Sequence, residues 1–123
     1  MIRASIAIIA TTAAVLVVSV GASGQTATPT LKGTVGPGYM ISLTMNGKKV
    51  KSLKRGSYKF VVTDRSTFHN FTVEREKGGK FEKDLTSVAF TGNKTVTLKL
   101  GPGSWKYYCK VHEPMMYGFF KVT

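Results

Sequence analysis

The chain has 123 residues, with 18 Lys and Arg against 6 Asp and Glu, a net charge of +12. That length allows one domain, and an apolar content of 42% is enough for a packed core. A single cysteine excludes an intramolecular disulfide framework, a CxxC redox pair and the multi-cysteine zinc motifs. Two histidines and six scattered carboxylates leave little from which to build a hydrolytic active site.

The amino terminus reads as an address. Arg3 supplies a short positive start, residues 4–20 are apolar or small, and Val20-Gly21-Ala22 places small residues where a signal peptidase cuts. Residues 1–22 are therefore expected to be a secretory signal. The alternative is an uncleaved membrane anchor, since the apolar stretch approaches the roughly 20 residues of a span. Its Ala, Ser and Thr content and the cut site that follows favour the signal. Residues 23–32, rich in small and polar side chains, read as a flexible leader, and 33–123 as the folded domain. Export implies a periplasmic, extracellular or cell-surface setting. There a lone cysteine is reactive, paired with another molecule, or held by a metal.

Short strands follow in order. Residues 40–45 alternate, with Ile41, Leu43 and Met45 on one side, and end in Asn46-Gly47, a hairpin signal. Residues 49–53 alternate around Val50 and Leu53. After Gly56-Ser57 comes a β-rich run at 58–63, then another at 68–74. Residues 74–90 form a longer connection around Gly78-Gly79 in which a helical turn could lie. Val96, Leu98 and Leu100 alternate with Thr and Lys, Gly101-Pro102-Gly103 turns the chain, and runs at 105–111 and 119–122 complete the set. No window of the domain holds a helical stripe. About seven strands separated by Gly, Pro and Asn predict an all-β antiparallel sandwich or barrel.

The chemistry is concentrated. Cys109, His112, Met115 and Met116 lie within eight residues, and His69 stands 40 residues upstream of the cysteine. Thiolate and thioether ligands suit copper, imidazole accommodates both of its oxidation states, and a His₂Cys set with a weak axial Met is the pattern of a blue-copper electron-transfer site. A short loop can deliver three ligands to one side of a metal. The fourth must come from a distant strand, and His69 is the histidine left to supply it.

The motif Cys109-x-x-His112 followed by Met116-x-Gly118, with His69-Asn70 upstream, resembles the cupredoxins, the small blue copper proteins of the plastocyanin, azurin and amicyanin kind. The likeness extends over most of the domain, through Val35-Gly-Pro-Gly-Tyr39, residues 56–71 and residues 101–109. It implies an antiparallel Greek-key β-sandwich of about seven to eight strands holding one type 1 copper ion. His69, Cys109 and His112 would be the equatorial ligands. Asn70 would point its backbone N–H at the Cys109 sulfur and tie two loops together with its side chain. Met116, which forms the Met-x-Gly pattern, would be axial, with Met115 the alternative. Glu113, beside a ligand, departs from the pattern and bears on the potential or on the partner surface.

The function expected is one-electron transfer by Cu(I)/Cu(II) cycling, with His112 as the electron port inside an apolar docking patch. No open coordination position is left for a substrate, so an enzyme is not expected. The alternative is extracytoplasmic copper binding and delivery, for which the extra methionine Met115 speaks. A metal-free interaction domain is the third reading. Lys48, Lys49, Lys51, Lys54 and Arg55 form one basic run and Lys77, Lys80 and Lys83 another. Such charge suits acidic redox partners or anionic surfaces, or serves solubility and edge protection. Nucleic acid is not expected as a partner, a membrane only if the signal is retained, and the protein is expected to be monomeric.

Overall fold

A computed structural model describes residues 14–17 and 27–123. The expected signal segment thus lies almost wholly outside the described residues. Among those described, no helix is long and apolar enough to cross a membrane. Among the described residues ten strands follow one another: β1 (Thr30–Val35), β2 (Ile41–Met45), β3 (Lys48–Lys49), β4 (Ser52–Leu53), β5 (Gly56–Asp64), β6 (Thr72–Lys77), β7 (Phe81–Asp84), β8 (Gly92–Leu100), β9 (Gly103–Tyr108) and β10 (Tyr117–Val122). A 3₁₀ turn, η1 (Lys110–His112), sits between β9 and β10.

The strands make two five-stranded sheets, β3-β2-β1-β5-β8 and β4-β10-β9-β6-β7. Period-two alternation gives each strand one apolar face. In β5, for example, Tyr58, Phe60, Val62 and Asp64 are buried while Ser57 and Lys59 are exposed. The two apolar faces pack together into one core that includes Leu31, Leu43, Phe60, Phe71, Trp105, Tyr107, Phe120 and Val122, as expected of a sandwich. Trp105 is buried with its indole N–H donating to the Gly101 carbonyl at 2.9 Å. Gly33 is required by the same packing, because a Cβ there would stand 2.9 Å from the Phe71 ring. The Asn46-Gly47 turn behaves as its sequence predicts, with both residues at positive φ (51° and 78°), the signature of the tight hairpin that matches strand twist.

Several details depart from the sequence reading. Thr30, Leu31 and Lys32, placed in the flexible leader, belong to β1, and Leu31 is fully buried. Its solitary position among small polar residues hid it. The region 74–90 holds no helical turn. It carries β7, paired antiparallel with β6, and Gly78 and Gly79, both at positive φ, make the bend between them. Phe68 does not begin a strand; it is exposed in the loop before β6. Two strand pairs are parallel, β1 with β5 and β4 with β10, so the sheets are mixed and not purely antiparallel. The segment β2–β4 intervenes between β1 and β5, and a connection of that length lets β5 run in the direction of β1.

One end of the sandwich gathers the chemistry. β1 runs out there into the loop 36–40, β5 ends and β6 begins there around His69 and Asn70, and β9 passes through Cys109 and η1 into β10.

Candidate metal centre

Cys109 follows the last residue of β9 with extended backbone (φ −98°, ψ 121°). The chain then turns at once. The His112 N–H donates to the Cys109 carbonyl at 3.2 Å, and the N–H groups of Met115 and Met116 both donate to the His112 carbonyl, at 3.0 and 2.9 Å. The Cys109 N–H closes the loop on the Met116 carbonyl at 3.0 Å. Four backbone bonds over eight residues therefore fix where His112 returns relative to Cys109. Such dense bonding makes a loop stiff despite its surface position. Its other anchor is packing: Met116 is fully buried, whereas Met115 is 61% exposed. Just beyond, Gly118 on β10 lies under the buried Tyr107 ring, which a Cβ would strike.

His69 arrives from the β5–β6 connection and is buried with Cys109. The three donor atoms meet. His69 Nδ1 and His112 Nδ1 are 3.0 Å apart, and the Cys109 sulfur is 3.8 Å from the first and 3.9 Å from the second. A triangle with these edges has its centre about 2.1 Å from every corner, a transition-metal bond length for imidazole nitrogen and only slightly short for thiolate sulfur. The residues present thus fit a metal ion held by two imidazoles and one thiolate, and His69, Cys109 and His112 cluster like a type 1 copper site.

Around these donors stands a polar brace. The Asn70 backbone N–H donates to the Cys109 sulfur at 3.4 Å, which lowers the electron density on a thiolate. The Asn70 side chain accepts from the Lys110 N–H at 2.8 Å and donates to Thr72 Oγ1 at 2.9 Å. It thereby ties the His69 loop to the Cys109 loop. Thr72 in turn donates to Asp84 at 2.8 Å. Lys110 spans Glu82 and Asp84 at 3.0 and 2.9 Å. Hydrogen bonding to Asp84 and then to Glu82 raises the Lys110 pKa, and the bond from Lys110 holds the Glu82 carboxyl below its ordinary range. Tyr108, beside the cysteine, is raised above the ordinary phenol range by burial and then by its bond to Glu82. Glu113 is paired with Lys106 at 2.6 Å, so its charge is offset next to the ligand loop.

Sequence reasoning overlooked Tyr39. Its ring packs against both imidazoles, tilted against His69 and edge-on to His112, with centroids 5.5 Å and 5.1 Å away. The signal was the Gly36-Pro37-Gly38 turn, whose glycines take positive φ and swing the next residue across the end of the sandwich. Gly38, Tyr39 and Phe68 line an open cleft of about 410 Å³ with the two histidines. Lys110, Thr72 and Asp84 were likewise not singled out, because nothing local marks β7 as the neighbour of the cysteine loop.

No protein-family model and no curated protein matches the chain. Solved structures do. Rusticyanin, described as a copper protein, superposes with a TM-score of 0.53 at 14% identity over 76% of each chain. Rusticyanin from Thiobacillus ferrooxidans gives 0.50 at 18% identity over the same shares. A laccase from Pediococcus acidilactici gives 0.52 at 12% identity, over 78% of this chain and 27% of that one. At these identities the likeness is one of fold, and the fold is that of the cupredoxins.

Proposed function

We propose that the protein is an exported type 1 copper protein that carries single electrons between redox partners. One observation carries the reading: a thiol and two imidazoles from loops 40 residues apart in sequence meet around a point at metal-bond distance from all three. His69, Cys109 and His112 would hold the ion, with Met116 axial. The burial of Met116 and the exposure of Met115 support that choice. Bound copper would supply a one-electron couple.

The chain's own residues serve such a role by holding the donors still. The Asn70 bonds and the loop bonds onto His112 keep the ligands in one arrangement whether or not an electron is present. Little reorganisation then accompanies transfer. Such bracing bonds also tune the metal. Half-buried His112 is the ligand that reaches the surface. Tyr39, Phe68, Val111 and Met115, all exposed, surround it with apolar area that sheds water easily when a partner docks.

The test is an optical titration of the exported protein with Cu(II), followed by a reductant and reoxidation. An intense thiolate-to-copper band that bleaches and returns is the expected result, and Cys109→Ser is expected to abolish it. A band that decays while the metal leaves to a chelator would instead favour copper delivery, for which exposed Met115 beside His112 offers a transfer ligand. A band that survives in Cys109→Ser would overturn the ligand assignment.

A further inference from the structure

Two things fix a ligand: the path of its backbone and the orientation of its side chain. The loop bonds onto His112 settle the first and leave the second open. A ligating imidazole ordinarily gives its other ring N–H to a carboxylate, a carbonyl or water, and that bond holds the ring in place. Among the described residues, the polar contacts of both imidazoles run instead through Nδ1, the atom that faces the donor cluster. Neither ring has a carboxylate or carbonyl partner there. Packing is what remains. The two imidazoles meet edge-on at 4.7 Å, and both meet the ring of Tyr39. Tyr39 belongs to neither ligand loop. It stands on the β1–β2 connection, whose base is tied down. The Gly36 N–H donates to the Met40 carbonyl at 2.8 Å, and the Arg65 N–H donates to the Val35 carbonyl at 2.9 Å. Gly36 is buried at φ +69°, and a Cβ there would stand 2.9 Å from that of Ser66, so only glycine lets the connection pass. Tyr39 is nonetheless 62% exposed. Burial in the core does not account for its place.

We propose that Tyr39 is a positioning residue for this centre: its ring holds both imidazoles with Nδ1 turned to the donor cluster, and so sets how fast a metal ion enters and leaves. The holding follows from packing alone. The exchange role rests on the metal-binding part of the copper reading. The rings meet at 58° for His69 and 79° for His112, the tilted and edge-on arrangements that aromatic pairs prefer. The contact is therefore one of rings, and the hydroxyl is not needed for it. Cys109 is fully buried and His69 nearly so. Half-buried His112 is then the donor that has to swing for an ion to pass. It lines the open cleft with Tyr39, and Tyr39 meets it on that side. An imidazole free to turn presents Nδ1 to the cluster only part of the time, and each departure opens the site. A ring braced by both His69 and Tyr39 departs less often. Met40, next along the same connection and 70% exposed, is no part of that cleft. It offers a like loss of apolar surface without the contact.

The test compares the exported protein with Tyr39→Phe, Tyr39→Ala and Met40→Ala, first without metal and then with it. The chain has two histidines, so the imidazole carbon–proton signals of the metal-free protein report these rings and no others. Carbon relaxation is expected to show a rigid His112 ring in the parent, Tyr39→Phe and Met40→Ala. In Tyr39→Ala its order parameter is expected to fall to the flexible range, because a released side chain changes rotamer on the picosecond to nanosecond scale. In the second arm the protein is loaded with Cd(II), which suits the same soft donors and is followed by its thiolate-to-metal ultraviolet band. Release to EDTA is expected to stay within about twofold of the parent in Tyr39→Phe and Met40→Ala, and to quicken about tenfold in Tyr39→Ala, the scale of one or two aromatic contacts. All the metal-free variants are expected to melt within about 4 °C of the parent, as surface substitutions do. An unchanged order parameter or release rate in Tyr39→Ala would overturn the proposal. So would an equal gain in Met40→Ala, or a far lower melting point that makes Tyr39 a stabiliser of the fold. Tyr39→Phe as fast as Tyr39→Ala would also overturn it, in favour of the hydroxyl. A protein that binds Cd(II) but gives no reversible copper band would refute the copper reading and leave both arms in force, so the two failures are told apart.

Discussion

Replacing Asn70 with Ala tests the brace that joins the two ligand loops. The side chain makes two bonds, 2.8 Å from the Lys110 N–H and 2.9 Å to Thr72 Oγ1, and Asn70 and Thr72 are both buried. Removing the acceptor strands a partly buried backbone N–H, at about 1–2 kcal/mol. Losing the bond to Thr72 costs about 1 kcal/mol more, softened because Thr72 keeps its bond to Asp84. The expected loss is therefore about 2–3 kcal/mol, or roughly 10–20 °C in Tm for a domain of this size. The Asn70 backbone N–H that faces the sulfur stays in place. Copper is thus expected to bind and give its visible band, with faster exchange to a chelator. Guanidinium unfolding of the metal-free protein gives the number, read as a midpoint shift at unchanged slope. A double-mutant cycle with Thr72→Val isolates the side-chain pair. A loss below about 0.5 kcal/mol, with loops that exchange amide hydrogen as slowly as in the parent, would refute the brace.

Gly118→Ala places a Cβ inside the contact radius of the Tyr107 ring, and Tyr107 is buried. Overpacking of this kind costs about 1–3 kcal/mol, which thermal melts of the metal-free protein would reveal. Asp64 is buried with Oδ2 unpartnered, and desolvation raises its pKa above 3.8 despite opposing bonds from Thr86 and Ser66 and the nearby His69. A raised carboxyl binds more protons in the folded state, so its contribution to stability falls as pH climbs from its unfolded value through its folded one. Asp64→Asn is expected to remove that part of the decline, seen as a flatter stability profile from about pH 4 upward. Met116→Leu is expected to raise the reduction potential of the copper-loaded protein, since a weak donor that favours Cu(II) is lost. Met115→Leu is expected to leave it nearly unchanged, and voltammetry showing the reverse would exchange their roles.

The all-β class, the Asn46-Gly47 hairpin and the candidate ligands were all legible in the chain, each for a local reason. Alternation with period two needs only neighbouring residues, and a turn at positive φ needs only its own two. The ligands were legible through scarcity: with one cysteine and two histidines, soft-metal chemistry has few places to be. Whatever depends on distant segments was not legible. The parallel pairing of β1 with β5 and the strand nature of Thr30–Lys32 rest on partners far along the chain, and the β6–β7 hairpin, though local, stayed hidden because β7 is exposed throughout and shows no apolar alternation. Sequence alone named His69 and His112 but had no measure of the 3.0 Å between their nitrogens. That distance exists because two loops from different strand ends are tied across Asn70. Tyr39 over both imidazoles and the Thr72–Asp84–Lys110 chain arose the same way, through sheet register. The basic run makes the point most clearly. Its lysines are conspicuous in the sequence, but only the strand pairing decides that they line β3 and β4, the outer strands on one side of the two sheets. A charge acts on its surroundings according to its place in space, and that place is set by folding.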